Sequence, residues 1–280
     1  MITRFAPSPT GPLHLGHAYS ALMAWDLAQA AGGTFLLRLD DIDQARARPE
    51  FDALIFEDLA WLGITWPKPV LRQSHSTPRL DAALARLADM GLLYPCSCSR
   101  ADIANAAGAP QEGVPTHGPD GRIYPGTCRG RALADMRPND AIRLDVAAAI
   151  DVAGALPCFR ELGPDRSGEH ALACVNFARD IGDVVVARKG RAPAYHLSVV
   201  VDDAGQKITQ VTRGLDLFDA TPIHVLLAHL LGLPIPYFFH HKLIRDAAGK
   251  RLAKRDDARA IAKYRADGHS PEDIRVMVGL

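Results

Sequence analysis

The stretch "APSPTGPLHLGHAYSALMAW", residues 6–25, decides how this chain is read. Pro7, Pro9 and Pro12, with Gly11 among them, rule out a regular element before residue 13. From Gly16 to Ala31 the chain is free of proline, rich in alanine and almost without polar positions, which reads as a buried helix stopped by Gly32 and Gly33. Ahead of it lies the half-apolar segment Ile2 to Ala6. Behind it "TFLLRL", Thr34 to Leu39, reads as a strand running into the acidic "DDID" of residues 40–43. Strand, loop, helix and strand within ~40 residues make a βαβ unit, whose parallel strands carry ligand loops at their carboxyl ends.

A helix start behind such a loop has a chemical use. Its first backbone amides are unpaired and, with the helix dipole, attract phosphate. His14 and His17, three apart, face one side and are placed to donate to phosphoryl oxygens, and Gly16 leaves room for a flat base. On residue type alone, two histidines capping a helix are an equally good account. The second basic feature is "KLIRDAAGKRLAKRDDA", residues 242–258, where a turn at Ala248 and Gly249 precedes Lys250, Arg251, Lys254 and Arg255. A glycine-hinged basic loop neutralises a departing pyrophosphate, although most such runs are solvated surface.

Composition sets the outer limits. At 280 residues and 48% hydrophobic, the chain buries a sizeable core without staples. Lysine plus arginine (32) equals aspartate plus glutamate (32), so no global field advertises a polyanionic partner, while a local basic face stays open. Five cysteines, an odd number, argue against a disulfide framework and for a reducing compartment. With no cationic leader and no apolar run near the ~20 residues of a membrane span, the expectation is a cytoplasmic protein that meets no membrane.

Helical periodicity recurs at 50–63 and 78–93, and 221–233 reads as a helix closed by Gly232 and Pro234. Tyr94 to Cys174 is rich in glycine, proline and isolated charge and holds all five cysteines; it reads as an insertion. After it, the sequence reads as β-rich, with a buried strand at Leu197 to Val201. The expected domains are a Rossmann-type catalytic unit over 1–93 and 175–233, an inserted subdomain over 94–174, and a C-terminal part over 234–280 made of the basic loop and helices.

"HLGH" near the N-terminus with "RLAKR" far downstream resembles the paired HIGH and KMSKS signatures of class I aminoacyl-tRNA synthetases, and "RFAPSPTGPLHLGH" is similar to the glutamyl branch. The likeness runs from Arg4 to about Arg255 and takes in "RLDDID", "AYHLSVVVDD" and "VTRGLDL". It implies an α/β fold with a Rossmann-type parallel sheet, a zinc-bearing insertion and a short helical end. It also implies ligase chemistry: L-glutamate activated by ATP with Mg²⁺, the two signatures stabilising the departing pyrophosphate. With 25 residues left after Arg255, there is no room for an anticodon-binding domain. The chain thus resembles short members of the branch that load glutamate onto the queuosine base in the anticodon of tRNA(Asp), here as an expected monomer. Two other readings stay open, a truncated enzyme charging a tRNA 3′ end and a non-catalytic paralogue that binds RNA or the amino acid.

By the same resemblance, Arg4, Phe5, Ala6, Pro7 and Ser8 contact glutamate, Asp40 holds its α-amino group, and Tyr195 and Arg213 complete the pocket. A guanidinium grips a carboxylate with two prongs and a carboxylate pairs with an ammonium, so the chemistry agrees. Asp40 stands where the branch usually has Glu, one methylene longer. His14, Gly16, His17 and Lys254 are the implied ATP-binding set, with His14, His17 and Lys254 catalytic; Arg251 and Ala253 depart from the usual Lys and Ser of the loop, so weaker ATP handling is expected. In the insertion, Cys96, Cys98, Tyr124 and Cys128 resemble the family's zinc site, implying one structural Zn²⁺ per chain with no open position. Without the resemblance, Cys158 or His117 would serve equally well as fourth ligand. Cys158 and Cys174 are expected to be buried free thiols. Arg129, Arg131 and Arg137 are candidates for facing RNA.

Overall fold

A computed structural model describes residues 1–106, 115–245 and 259–280. Strand β1 (Ile2–Phe5) enters the proline loop, helix α1 (Leu15–Ala30) follows, and β2 (Thr34–Leu39) returns parallel to β1, the expected βαβ unit. Next come α2 (Pro49–Trp61), β3 (Leu71–Arg72), α3 (Thr77–Asp89), β4 (Leu93–Cys96) and α4 (Arg100–Ala106). The middle of the chain supplies β5 (His117–Gly118), β6 (Gly121–Arg122), β7 (Ala141–Leu144), α5 (Val146–Ala153), β8 (Cys158–Glu161), β9 (Gly168–Ala171), α6 (Phe177–Asp180) and β10 (Val185–Ala187). The last third holds α7 (Tyr195–Gly205), β11 (Gln210–Gly214), α8 (Thr221–Leu230), β12 (Tyr237–His241), α9 (Ile261–Ala266) and α10 (Pro271–Val278).

Two sheets form the base of the molecule. In one the order is β1-β2-β3, all parallel; in the other it is β11-β12-β8-β9, parallel up to β8 and antiparallel at β9. β1 lies beside β11, where Thr209 N–H donates to Ile2 O (3.0 Å) and Ile2 N–H to Thr209 Oγ1 (2.8 Å). The spatial sequence β3-β2-β1-β11-β12 therefore reverses direction between β1 and β11, the position at which parallel α/β sheets open a crevice for ligands. A separate antiparallel sheet, β10-β7-β4, carries the middle segment.

The core has two halves. α1 packs its alanine-rich face, Ala18, Ala21, Ala24 and Ala28, with β2, α2 and two residues from the far end of the chain, Ile261 and Ile274. The second half gathers α7, α8 and β11 around Leu197, Val211 and Leu226. Arg275 fastens α10 to α1 through Asp26 with bonds of 2.8 and 2.9 Å. No helix among the described residues is long and apolar enough to cross a membrane.

Three expectations change. Leu197 to Val201 is the middle of helix α7, not a strand. An apolar run buried all round has no periodicity to separate the two, and every residue from His196 to Asp203 is buried. Cys158 and Cys174 are exposed rather than buried; Cys158 sits on an outward position of β8, where burial alternates along the strand. Finally, β12 pairs along its length with β11, and Phe238 pairs with Glu161, so one sheet draws strands from all three segments expected as separate domains.

Candidate functional site

The carboxyl ends of β1, β2, β11 and β12 surround a cavity of about 360 Å³. Arg4, Phe5 and Ala6 reach it from β1, Arg38 and Asp40 from β2, Arg213 and Gly214 from β11, and His241 from β12. His14, Gly16, His17 and Ser20 enter from the start of α1, and Tyr195 from the start of α7. Residues brought together here lie as far apart in sequence as Arg4 and Ile244. Pro7 and Ser8 do not line it; Pro7 O instead accepts the Asp40 N–H at 3.0 Å, tying the loop to the end of β2.

The histidine pair both caps the helix and faces the cavity. His14 is the N-cap: its Nδ1 accepts the Gly16 N–H at 3.1 Å, and His17 Nδ1 accepts the His14 N–H at 3.2 Å, a reciprocal capping box. Because each Nδ1 accepts, each neutral ring carries its proton on Nε2. The rings lie 3.8 Å apart between centroids. A Cβ on residue 16 would come within 3.1 Å of the His14 ring, so glycine there keeps the capping histidine in place.

Beneath the cavity lies a buried charge cluster. Asp203 takes Arg4 Nε at 3.0 Å and Nη2 at 3.1 Å, and also Arg38 Nη1 at 2.6 Å, while Arg38 Nε reaches Asp40 at 2.7 Å. Burial pushes the Asp203 carboxyl up, but Arg4 and Arg38 outweigh it and hold it below its ordinary value. At Asp40 burial wins and the pKa is raised, despite Arg38. Arg4 therefore gives its forked donors to an internal carboxylate, and Asp40 rests on Arg38.

Arg213 has a different setting. Its guanidinium donates to His240 Nε2 (3.0 Å), His224 Nδ1 (2.9 Å), Thr221 Oγ1 (2.8 Å) and Leu217 O (3.2 Å), all neutral acceptors, and burial lowers its pKa. Burial and Arg213 together hold His224 well below the usual histidine value. Among the described residues Arg213, which lines the cavity, forms no direct ion pair and meets only these neutral acceptors.

Lys254 and the rest of residues 246–258 lie outside the described residues. Their flanks do not: Lys242, Leu243 and Ile244 line the cavity, and on the far side Ala260 bridges His14 while Ile261 N–H donates to Leu13 O at 2.8 Å.

In the middle segment Cys96, Cys98 and Cys128 place their sulfurs within 4.8 Å of one another. Cys98 and Cys128 Sγ are 3.5 Å apart, and Tyr124 Oη lies 3.4 Å from Cys96 Sγ and 3.6 Å from Cys98 Sγ. Zinc bound tetrahedrally by sulfur at ~2.3 Å and oxygen at ~2.0 Å sets its ligand atoms roughly 3.5–3.8 Å apart, so these four residues fit the ion. Tyr124 Oη also accepts the Cys128 N–H at 2.8 Å, which aims it at the cluster. The two alternative fourth ligands fall away: Cys158 is exposed on β8 and His117 is exposed and bonded to Thr116.

The model of the catalytic domain of class I tRNA synthetases (E and Q) matches residues 1–122 and 167–280. A glutamyl-Q tRNA(Asp) synthetase of Rhodobacter capsulatus is 58% identical over the whole of both chains. This chain belongs to that family. A second member, from Nocardia farcinica, is 40% identical over 98% of this chain and 82% of its own length. Among solved structures, a glutamate tRNA ligase from Elizabethkingia meningosepticum, in complex with its amino acid, matches with a TM-score of 0.74 at 25% identity, over all of this chain and 60% of that one. A methionyl-tRNA synthetase from Mycobacterium tuberculosis shares the fold, with a TM-score of 0.58 at 11% identity. The α/β class I synthetase fold expected from the two signatures is thus the one observed.

Sequence reading missed Arg38, Asp203, Thr221, His224 and His240. Asp203 had a signal: two acids ending an apolar run need cationic partners if the run is buried. Arg38, a cation inside the apolar run Thr34 to Leu39, had the same signal; the histidines and the threonine had none, since in an apolar stretch they say nothing of the guanidinium they meet.

Proposed function

We propose that this chain activates L-glutamate with ATP and transfers it to the queuosine base of tRNA(Asp). The observation that supports this most is the cavity at the β1/β11 reversal, where a cation with only neutral contacts, Arg213, faces the acidic Asp40 and the amide-rich start of α1. In this reading Arg213 takes the side-chain carboxylate, Asp40 takes the α-amino group and Tyr195 closes the pocket. His14 and His17 donate from Nε2 to phosphoryl oxygens as negative charge grows on them, and Lys254 neutralises the pyrophosphate. ATP enters with Mg²⁺. Catalysis is positioning and electrostatics, with no covalent enzyme intermediate.

The RNA would approach through a second cleft, about 1080 Å³, that meets the first at Tyr195. It is lined by Arg46, Arg100, Arg122, Arg143, Arg188 and Lys189 against three acids, Asp43, Asp120 and Asp183. Arg129 and Arg131, candidates from the sequence, are instead held by Asp183 and Asp140. Zinc at Cys96, Cys98, Tyr124 and Cys128 would hold the wall of this cleft together, a structural role.

Labelled glutamate, ATP and tRNA(Asp) with or without queuosine test the proposal. It requires glutamate-dependent pyrophosphate exchange and label on the anticodon nucleotide only when queuosine is present. Label at the 3′ terminal adenosine favours a truncated charging enzyme, and binding without exchange favours the non-catalytic paralogue.

A further inference from the structure

Behind the amino-acid cavity, and not lining it, β8 delivers a carboxylate that has no counterpart in the chemistry above. Glu161 is fully buried. Its Oε1 accepts two backbone donors, the N–H of Gly163 at 2.6 Å and that of His240 at 2.9 Å, and its Oε2 lies 2.5 Å from His240 Nδ1. The other ring nitrogen of His240, Nε2, is 3.0 Å from Arg213 Nε. A guanidinium has only donors, so Nε2 must accept, and the ring proton is confined to Nδ1, facing Glu161.

We infer that Glu161 and His240 are positioning residues for Arg213, which lock the His240 ring in the tautomer that holds the guanidinium toward the carboxylate of the amino-acid substrate. The inference rests on the glutamate reading of the cavity. Two observations make the arrangement more than packing. A charged carboxylate taken fully out of water needs a balancing charge, and the only salt-bridge partner of Glu161 among the described residues is the neutral-acceptor ring of His240, one ring away from Arg213. The backbone is also shaped around it: a Cβ on Gly163 would fall 2.7 Å from Glu161 Oε1 and 2.3 Å from His240 O. The Arg213 charge is thus balanced at one remove. Its other ring contact, His224 Nδ1, likewise accepts, and hands its own Nε2 proton to His196 Nδ1 at 3.0 Å.

Glu161→Gln tests this with no change of shape. The two backbone donors demand an acceptor at Oε1, so the new amide must turn its NH₂ toward His240 Nδ1. The ring proton is then driven to Nε2, against the Arg213 Nε–H. The Michaelis constant for glutamate in pyrophosphate exchange is expected to rise at least about tenfold, the scale of a lost hydrogen bond to a charged group. The constant for ATP should stay within about twofold, and discrimination against glutamine should weaken, because glutamine does not need the displaced charge. A folded variant with an unchanged constant for glutamate overturns the inference and leaves the glutamate reading standing. Absence of glutamate-dependent exchange in the unaltered chain overturns that reading and the inference with it. Ring nitrogen NMR of the unaltered chain is the second measurement, independent of any carboxylate variant, with His240 assigned by its loss in His240→Gln. A proton on Nδ1 is required, and a proton on Nε2 overturns the inference.

Discussion

Arg4 and Asp203, 199 residues apart in sequence, meet through two hydrogen bonds of 3.0 and 3.1 Å at the floor of the cavity. This contact joins the first strand to α7 and fixes where the β1 end of the cavity lies relative to Tyr195. Asp203 also holds Arg38, so one carboxylate serves two buried cations. Removing one partner of a buried pair leaves an uncompensated charge, which costs about 3–5 kcal/mol. Asp203→Ala is therefore expected to lower the unfolding free energy by about that amount in a urea titration, and to weaken glutamate binding because Asp40 is set by the same Arg38.

The helix-capping role of His14 and the phosphate-facing one proposed for it are separable. In His14→Asn the new amide oxygen still accepts the Gly16 N–H, and Asn is among the best N-cap residues. The Nε2 donor is lost. Thermal stability should stay within about 0.5 kcal/mol of the unaltered chain, while the exchange rate should fall about 100-fold, the scale of one lost donor to a developing anion. A rate that follows stability would assign His14 to the cap alone.

At the sulfur cluster, Tyr124→Phe deletes one of the four atoms proposed to hold zinc and the acceptor for the Cys128 N–H. Elemental analysis should find about one zinc per chain in the purified protein and clearly less after dialysis of the variant against a mild chelator. Loss of the ion should also expose residues 94–98 and 124–128 to limited proteolysis, since Tyr94, Cys96, Tyr124 and Cys128 are the buried residues of that cluster.

Asp58 predicts a pH dependence of stability. Its side chain is fully buried on α2, both oxygens lack a hydrogen-bond partner, and Arg265 of α9 is 3.7 Å away. Burial raises its pKa to about 6. The folded state therefore holds this proton more tightly than the unfolded chain, so its contribution is fully present below about pH 4 and is lost as pH rises through about 6. Asp58→Asn should abolish that part of the slope in denaturation curves taken between pH 4 and 7 and raise stability at neutral pH. An unchanged slope would show that Asp58 ionises freely.

How far the site could be read from the chain varies by residue. His14, Gly16 and His17 sit in one local motif, so spacing alone puts them at a helix start, and the cavity holds all three. Tyr195 and Arg213 came only through resemblance, and the structure shows why: the run between them reads equally as strand or helix. The Glu161–His240 pair has no local signature at all.

Local interactions were enough for the chain by itself to determine the βαβ opening, the α1 start with its histidine pair, and the cysteine spacing. Prolines, glycines and capping side chains act within a few residues, and their effect is written in order along the backbone. Only the tertiary structure decided that Leu197 to Val201 is a helix, that Arg4 is bound by Asp203 while Arg213 meets only neutral acceptors, and that β8 and β12 complete the sheet. Those outcomes depend on which buried groups meet across long separations, where desolvation and pairing compete, and no short stretch of sequence carries both sides of that balance.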